Sequence, residues 1–180
     1  GILLGLCQSA LAQIYVSGHI TNDTVWTNIS ATYTVNGNLY VDPGVTLTLA
    51  PSTRLYLNAN CSITVDGSLV LDHPEWVQFR DYNGNCGFVV NGTMTATGAV
   101  FQDINTSYNA WTSLTINNTR SFTASGCNLA INAVEFNAGS TVNVTGNVFG
   151  AGVYCAADYV PKLLPNTSFG VVYLSGGTLT

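Results

Sequence analysis

Short stretches of alternating apolar and polar residues recur along the chain, and each stretch runs into a Gly or Asn. The turn residues at which they end are Gly18, Gly37, Gly67, Gly92, Asn118, Gly146 and Gly176. Apolar or aromatic side chains stand two and four residues before each turn, as Val65 and Ile63 do before Gly67. This alternation with period two predicts β-strands that each bury one face.

The spacing of the turns predicts a stack of similar coils. The stretches return at intervals that are shortest from Gly18 to Gly37 and longest from Gly37 to Gly67 and from Gly146 to Gly176. Repeats of this length are typical of solenoids, in which each coil contacts its neighbours. The apolar phase also continues past the turn, at Leu69 after Gly67, so the turn suits the corner of a coil.

We therefore predict an all-β fold, a right-handed single-stranded parallel β-helix in which equivalent side chains stack about 4.8 Å apart. Two interior columns are predicted: Val35 with Val65 and Val90, and Ile63 with Phe88 and Leu114. Asn-Gly and Asp-Gly turns also favour β-hairpins, so an antiparallel meander is the alternative. Such turn residues further predict positive φ angles at the corners.

Composition narrows the function classes. Hydrophobic residues make up 47% of the chain and charged residues only 7%, with a net charge of −5 and four basic residues. A nucleic-acid partner is not expected, because no basic patch is available for a phosphate backbone. No apolar run approaches the roughly 18 residues of a membrane-spanning helix.

Both ends of the chain predict additional segments. Residues 1–12 (GILLGLCQSALA) resemble the end of a signal peptide, with a small-x-small cleavage site at its end. Lipidation at Cys7 and a genuine N-terminal strand or helix are the alternatives. We expect a cap or first strand over 13–33 and coils over 34–180. A further coil begins at Val171 and the chain stops inside it at Thr180, so more coils or a cap are expected to follow.

Four cysteines follow the repeat in pairs. Cys61 and Cys86 each lie six residues before a turn residue, and Cys127 and Cys155 each lie nine after one. Matching places on adjacent coils predict disulfides 61–86 and 127–155, one of three possible connectivities. Buried stacked thiols are the alternative. No spacing typical of a zinc site is present.

The segment from Ile20 to Asp81 resembles the secreted right-handed parallel β-helix repeat proteins of the pectate-lyase-like superfold. The residues that carry the resemblance are DTVW at 23–26, YTV at 33–35, NLYV at 38–41, GVTLTL at 44–49 with Pro51, and ITVDGSL at 63–69. The resemblance implies an extracellular or cell-surface module. The superfold includes adhesin-like proteins, polysaccharide lyases and glycoside hydrolases, so the fold does not choose among them.

Candidate chemistry concentrates in residues 72–81. Asp72, Glu75, Arg80 and Asp81 form the only dense group of charges. Lyases of the superfold need acidic calcium ligands and a basic residue, and hydrolases need grouped carboxylates. The other interpretation is an ordinary Pro-containing corner followed by a strand, which we favour.

The sequence therefore predicts a secreted or cell-surface scaffold, adhesin-like and non-catalytic, with a polysaccharide or cell-envelope glycan as partner. The alternative is a polysaccharide lyase or glycoside hydrolase of the same superfold. Calcium is expected only under the lyase alternative, and no other cofactor or metal is expected.

Overall fold

The fold consists of short β-strands joined by corners. The structure, a computed structural model, describes residues 12–27, 31–80, 85–103, 112–117, 121–125, 128–130, 133–136, 142–145, 148–155, 162–163 and 168–174. Its strands are β1 (Ala12–Ile20), β2 (Thr24–Trp26), β3 (Ala31–Val41), β4 (Thr46–Leu49), β5 (Arg54–Asn58), β6 (Ser62–Val65), β7 (Ser68–Asp72), β8 (Trp76–Arg80), β9 (Cys86–Val90), β10 (Thr93–Thr97), β11 (Val100–Asp103), β12 (Thr112–Ile116), β13 (Ser121–Ser125), β14 (Asn128–Ala130), β15 (Ala133–Phe136), β16 (Val142–Thr145), β17 (Val148–Cys155), β18 (Lys162–Leu163) and β19 (Ser168–Leu174).

The strands stack in parallel on three walls. The first wall contains β5, β8, β11 and β14, and the second contains β6, β9, β12 and β15. The third wall contains β2, β4, β7, β10, β13, β16 and β18. The long strands β1, β3, β17 and β19 run along both the first and the second wall, which joins these two walls in one sheet.

Each coil returns to the same wall after a similar length of chain. On the first wall Arg54 pairs with Trp76, and on the second wall Ile63 pairs with Phe88. Every strand pair within the described residues is parallel, so the antiparallel meander is wrong and the parallel β-helix is confirmed.

The core lies between the three walls and is built from columns of stacked apolar side chains. The predicted column of Ile63, Phe88 and Leu114 is confirmed, and all three side chains are fully buried. The rings of Phe88 and Phe101 meet edge to face, with centroids 5.8 Å apart, and so connect the second wall to the first. Burial of each large side chain contributes about 1.5–3 kcal/mol to stability.

The other predicted column is only partly correct. Val65 does pair with Val90, but the preceding residue in that column is Val41. Val35 lies on the first wall, where it pairs with Leu57. The error arose because β3 alternates without interruption past Gly37, so its two halves show the same period on two different walls.

The strand before Gly146 lies on a different wall from the strands before Gly67 and Gly92, although all three have the same phase. Val142 and Val144 of β16 pair with Phe122 and Ala124 on the third wall. Val134 of β15 instead continues the column of Leu114. Alternation with period two is the same on every wall, so it identifies strands without assigning them to a wall.

The corner between the second and third walls carries a ladder of polar side chains, which we call the amide ladder. The Asn91 side-chain amide donates to Oδ1 of Asp66 at 2.7 Å, and the Asn117 amide donates to Oδ1 of Asn91 at 2.8 Å. The ladder bonds each coil to the preceding one on the outside of the helix.

Close backbone approach explains the glycines of this corner. A Cβ at Gly92 would overlap the Gly67 carbonyl oxygen, and a Cβ at Gly67 would overlap the Asp42 carbonyl oxygen. The sequence predicted that positive φ angles require glycine at these turns. Of the predicted turn glycines that lie in the described residues, only Gly18 has a positive φ, of 84°. Here the glycine is needed because two coils pass within contact distance.

Right-handed winding, a cap over 13–33 and the division into domains stay predictions. Strand β1 begins at Ala12 and pairs with β3, so parallel stacking already includes residues 12–20. The rest of the predicted signal segment with Cys7, the proposed cut coil beyond 174, Asp81 and Cys127 lie outside the described residues.

Candidate functional site

The predicted charged cluster is divided between two sides of a corner. Asp72 ends β7 on the third wall, and its Oδ1 lies 2.8 Å from Nδ1 of His73. Glu75 stands after the corner and receives a hydrogen bond from Arg54 Nε at 2.6 Å. Each carboxylate therefore has its own cationic or imidazole partner, and the two are not joined in one acid–base pair.

The remaining members of the predicted cluster add little to this site. Arg80 ends β8, where its backbone pairs with Asn58, and its side chain lies outside the described part of the chain. The Asp72 and His73 side chains are 52% and 62% exposed, so water screens their interaction. Among the described residues, no three acidic, His or Cys side chains are grouped closely enough to hold a metal ion.

A different surface, the outer face of the first wall, gathers the larger polar and aromatic side chains. One outward row contains Gln13, Thr32, Arg54 and Trp76, which are register partners on successive coils. The adjacent row contains Tyr15, Thr34, Tyr56 and Gln78. These rows face outward because the alternate residues Leu55, Leu57 and Val77 are buried in the core. Thr32 and Thr34 also belong to these outward rows, but both side chains are buried.

Arg54 is the centre of this surface. Its guanidinium carbon lies 4.8 Å from the centroid of the Trp76 ring, and its Nε donates to Glu75. A cation held against an aromatic face and bonded to a carboxylate is fixed from two sides. The hydrogen bond to Glu75 is the largest cause that raises the pKa of Arg54, so this side chain keeps its charge at any physiological pH.

Two tyrosines extend the surface along the neighbouring row. Tyr15 is 60% exposed, and its hydroxyl donates to Gln13 Oε1 at 3.1 Å. Gln13 in turn donates to Oγ1 of the buried Thr34 at 2.8 Å. The Tyr56 ring lies 6.4 Å from the Trp76 ring, measured between centroids. The wall thus presents aromatic rings and hydrogen-bonding groups on one sheet surface.

The backbone of the corner holds Glu75 in place beside this sheet. Its amide donates to the Thr53 carbonyl at 2.9 Å. Thr53 is fully buried, and its hydroxyl lies 3.0 Å from the Trp26 carbonyl oxygen and 2.6 Å from that of Ala50. Since Thr53 directly precedes β5, the same corner positions both partners of the Arg54–Glu75 pair.

A cleft lies beside the amide ladder. This cleft of about 280 Å³ lies among Pro43, Gly44, Asp66, Ser68, Asn91 and Thr93. Among the described residues that line it none is aromatic, and the side chains of Asp66 and Asn91 already bond to each other. The cleft is therefore mainly polar and lacks the aromatic surface that ligand pockets usually offer.

The first cysteine pair lies on adjacent coils. Cys61 and Cys86 directly precede Ser62 and Gly87, which are register partners, and both are buried thiols in this structure. Burial raises the pKa of the Cys61 thiol, which lowers its thiolate fraction and slows oxidation at neutral pH. The 61–86 disulfide stays a prediction. Peptide mapping of the protein without reductant should recover it, and a 61–127 link would contradict the coil register.

The second cysteine pair also stays a prediction. Cys155 lies in β17, where its backbone pairs with Phe136 on one side and Leu174 on the other. Cys127 is outside the described residues, but its neighbour Asn128 pairs with Val148.

Sequence reasoning found Glu75 but missed its partners. In the sequence Arg54 appears only as one of four basic residues, and no local pattern marks Tyr15 or Tyr56. A usable signal was the spacing, because Thr32, Arg54 and Trp76 follow one another at equal intervals in the sequence. That interval is the register offset of the first wall from β3 to β5 and from β5 to β8. A search for outward residues at this spacing would have brought them together.

Comparison with family models, with curated proteins and with solved structures gives no match to this chain. Over the part of the chain that the structure describes, no helix has the length and apolar character needed to cross a membrane.

Proposed function

We propose that this chain is an extracellular or cell-surface β-helix scaffold, adhesin-like and non-catalytic, that binds carbohydrate on the outer face of its first wall. The observation that carries the proposal is the combination of Tyr15, Tyr56 and the Arg54–Glu75 pair on one sheet surface. Carbohydrate sites need aromatic surface for the apolar faces of sugar rings and a few placed polar groups for the hydroxyls. Export of the chain and kinship with the pectate-lyase-like superfold are part of the same proposal and rest on the sequence.

A non-catalytic role is favoured by the partners of the candidate carboxylates. Glycoside hydrolysis needs two carboxyl groups that face one scissile bond. Asp72 and Glu75 bond instead to His73 and Arg54, on opposite sides of a corner. A general base must lie within hydrogen-bond reach of the proton that it removes, and these two carboxylates do not converge on one position.

The test is to incubate the purified chain on an array of plant, fungal and bacterial glycans, and to analyse the products of the polysaccharides that it binds. Binding without turnover supports the scaffold. Calcium-dependent release of unsaturated products from pectin-type substrates would support the lyase alternative, and release of reducing sugar would support a hydrolase. Absence of binding to every glycan on the array would contradict the proposed function.

A further inference from the structure

The Arg54–Glu75 pair offers donors and an acceptor side by side. Their contact uses Nε of Arg54 and Oε2 of Glu75. The two terminal nitrogens of the guanidinium and Oε1 of the carboxylate make no hydrogen bond with any described residue. The Arg54 side chain is 19% exposed and that of Glu75 is 34% exposed, so both reach the surface.

We infer that this pair binds two adjacent hydroxyl groups of a neutral saccharide, an inference that rests on the proposed function and names its ligand class. A sugar hydroxyl can donate one hydrogen bond and accept two. One hydroxyl can therefore accept from the Arg54 guanidinium while its neighbour donates to Glu75. A ligand that can only accept hydrogen bonds, or only donate them, cannot satisfy both partners.

Charge selects against an acidic saccharide at this surface. Glu75 neutralises Arg54 locally, and the whole chain carries a net charge of −5. A uronate carboxylate beside Arg54 would approach Glu75, and like charges at such distances repel. A polyuronate, the substrate expected for a lyase, is thus a poor ligand for the pair.

The neighbouring rings provide the rest of the subsite. Trp76 supports the guanidinium at 4.8 Å, and the Tyr56 ring lies next to Trp76. Because Arg54 is already held by Glu75 and Trp76, little side-chain entropy remains to be lost when a ligand binds. Tyr15, two coils before Tyr56 in the same row, offers a second aromatic contact for a longer saccharide.

The experiment is calorimetric titration of the full chain with neutral glucan, mannan and xylan oligosaccharides, and with oligogalacturonate. The variants are Arg54→Lys, which keeps the charge but loses the planar fork, and Glu75→Gln, which keeps the shape but loses the charge. Asp72→Asn is the matched control, because it also neutralises a partly exposed carboxylate, at a corner of the third wall. Thermal unfolding of every variant confirms that it folds.

We expect the wild-type chain to prefer a neutral oligosaccharide. Arg54→Lys and Glu75→Gln should each weaken that binding about tenfold, the loss of one charge-assisted hydrogen bond. Asp72→Asn should leave it unchanged. Glu75→Gln should also strengthen binding of oligogalacturonate, because it removes the repulsion and leaves Arg54.

The failure of this inference is distinguishable from the failure of the proposed function. If the wild-type chain binds a glycan but prefers oligogalacturonate, or if both variants bind the neutral ligand as the wild type does, the inference is wrong and the proposed function stands. If the wild-type chain binds no saccharide, both are wrong. Should Arg54→Lys fail to fold, Glu75→Gln alone decides.

Discussion

The first and third walls share one backbone plan but carry different outer faces. Inside, both present columns of buried apolar residues, such as Leu55 and Val77 on the first wall and Leu47 and Leu69 on the third. Outside, the third wall shows small hydroxyl side chains, with Thr46, Ser68 and Thr93 in one row. The larger residues Arg54, Tyr56 and Trp76 lie outside on the first wall.

This difference separates the residues that specify the fold from those available for function. The inward positions must fill a shared core, where packing is as tight as in a crystal. The outward positions need only suit a pleated, partly exposed surface, for which Thr is well adapted. The first wall departs from small hydroxyl residues at Arg54, Tyr56 and Trp76, so its outer face offers larger side chains for contact with a partner than the third wall does.

The largest effect is expected inside the coil. Phe88→Ala removes a fully buried ring that contacts Phe101, so it should lower the free energy of unfolding by about 3–5 kcal/mol. Val89 follows on the same strand and points outward. Val89→Ala is the control and should cost less than about 1 kcal/mol. Chemical denaturation measures both. Equal losses would contradict the division into inner and outer faces.

The next effect concerns the corner that the second and third walls share. Gly92→Ala would place a methyl group far inside contact distance of the Gly67 carbonyl oxygen, so the two coils would have to separate. We expect a loss of about 1–3 kcal/mol or more. At Gly37 a Cβ would meet only the Ser17 side chain, with its Cβ at 3.2 Å, and Gly37→Ala should be milder. If both variants have the same stability, close approach does not explain the glycine.

Saccharide binding should distinguish the two outer faces directly. Tyr56→Ala removes an aromatic ring from the first wall and should weaken binding of the neutral oligosaccharide about tenfold, or roughly 1.4 kcal/mol. Thr95→Ala removes a hydroxyl from the third wall and should change nothing. Calorimetry gives both affinities. An equal loss in the two variants would mean that the first wall is not the binding face.

The smallest effect is expected at Trp76. Its Nε1 is buried and has no acceptor within the described residues, and such a donor destabilises the folded state. Trp76→Phe removes the donor but also weakens the contact with Arg54. These effects oppose each other, so thermal stability should change by less than about 0.5 kcal/mol. A large loss would show that the indole N–H does have an acceptor.

Much of the fold could be predicted because its signal is periodic and local. The column of Ile63, Phe88 and Leu114 followed from phase alone. The assignment of Val35 failed because a long strand that crosses two walls keeps the same alternation on both. The reason for Gly67 and Gly92 was also missed, because close approach of two coils depends on residues distant in sequence.

The candidate site was harder to predict because its members come from different coils. Glu75 stood out within a charged stretch, whereas its partner Arg54 stands on the preceding coil among Thr, Leu and Tyr. Asp72 looked equivalent to Glu75 in sequence. The corner between them separates the two side chains, and the Asp72 carboxylate contacts His73 instead of Arg54. Outward residues are not constrained by the core, so only the register of the strands brings them together.

The most direct test of carbohydrate binding on the first wall is NMR mapping of backbone amides during titration with the neutral oligosaccharide that binds best. We predict shifts concentrated at Tyr15, Arg54, Tyr56 and Trp76, with Thr46 and Thr95 unmoved. Shifts centred on Asp66 and Asn91 would place the ligand in the cleft beside the amide ladder and would contradict this account.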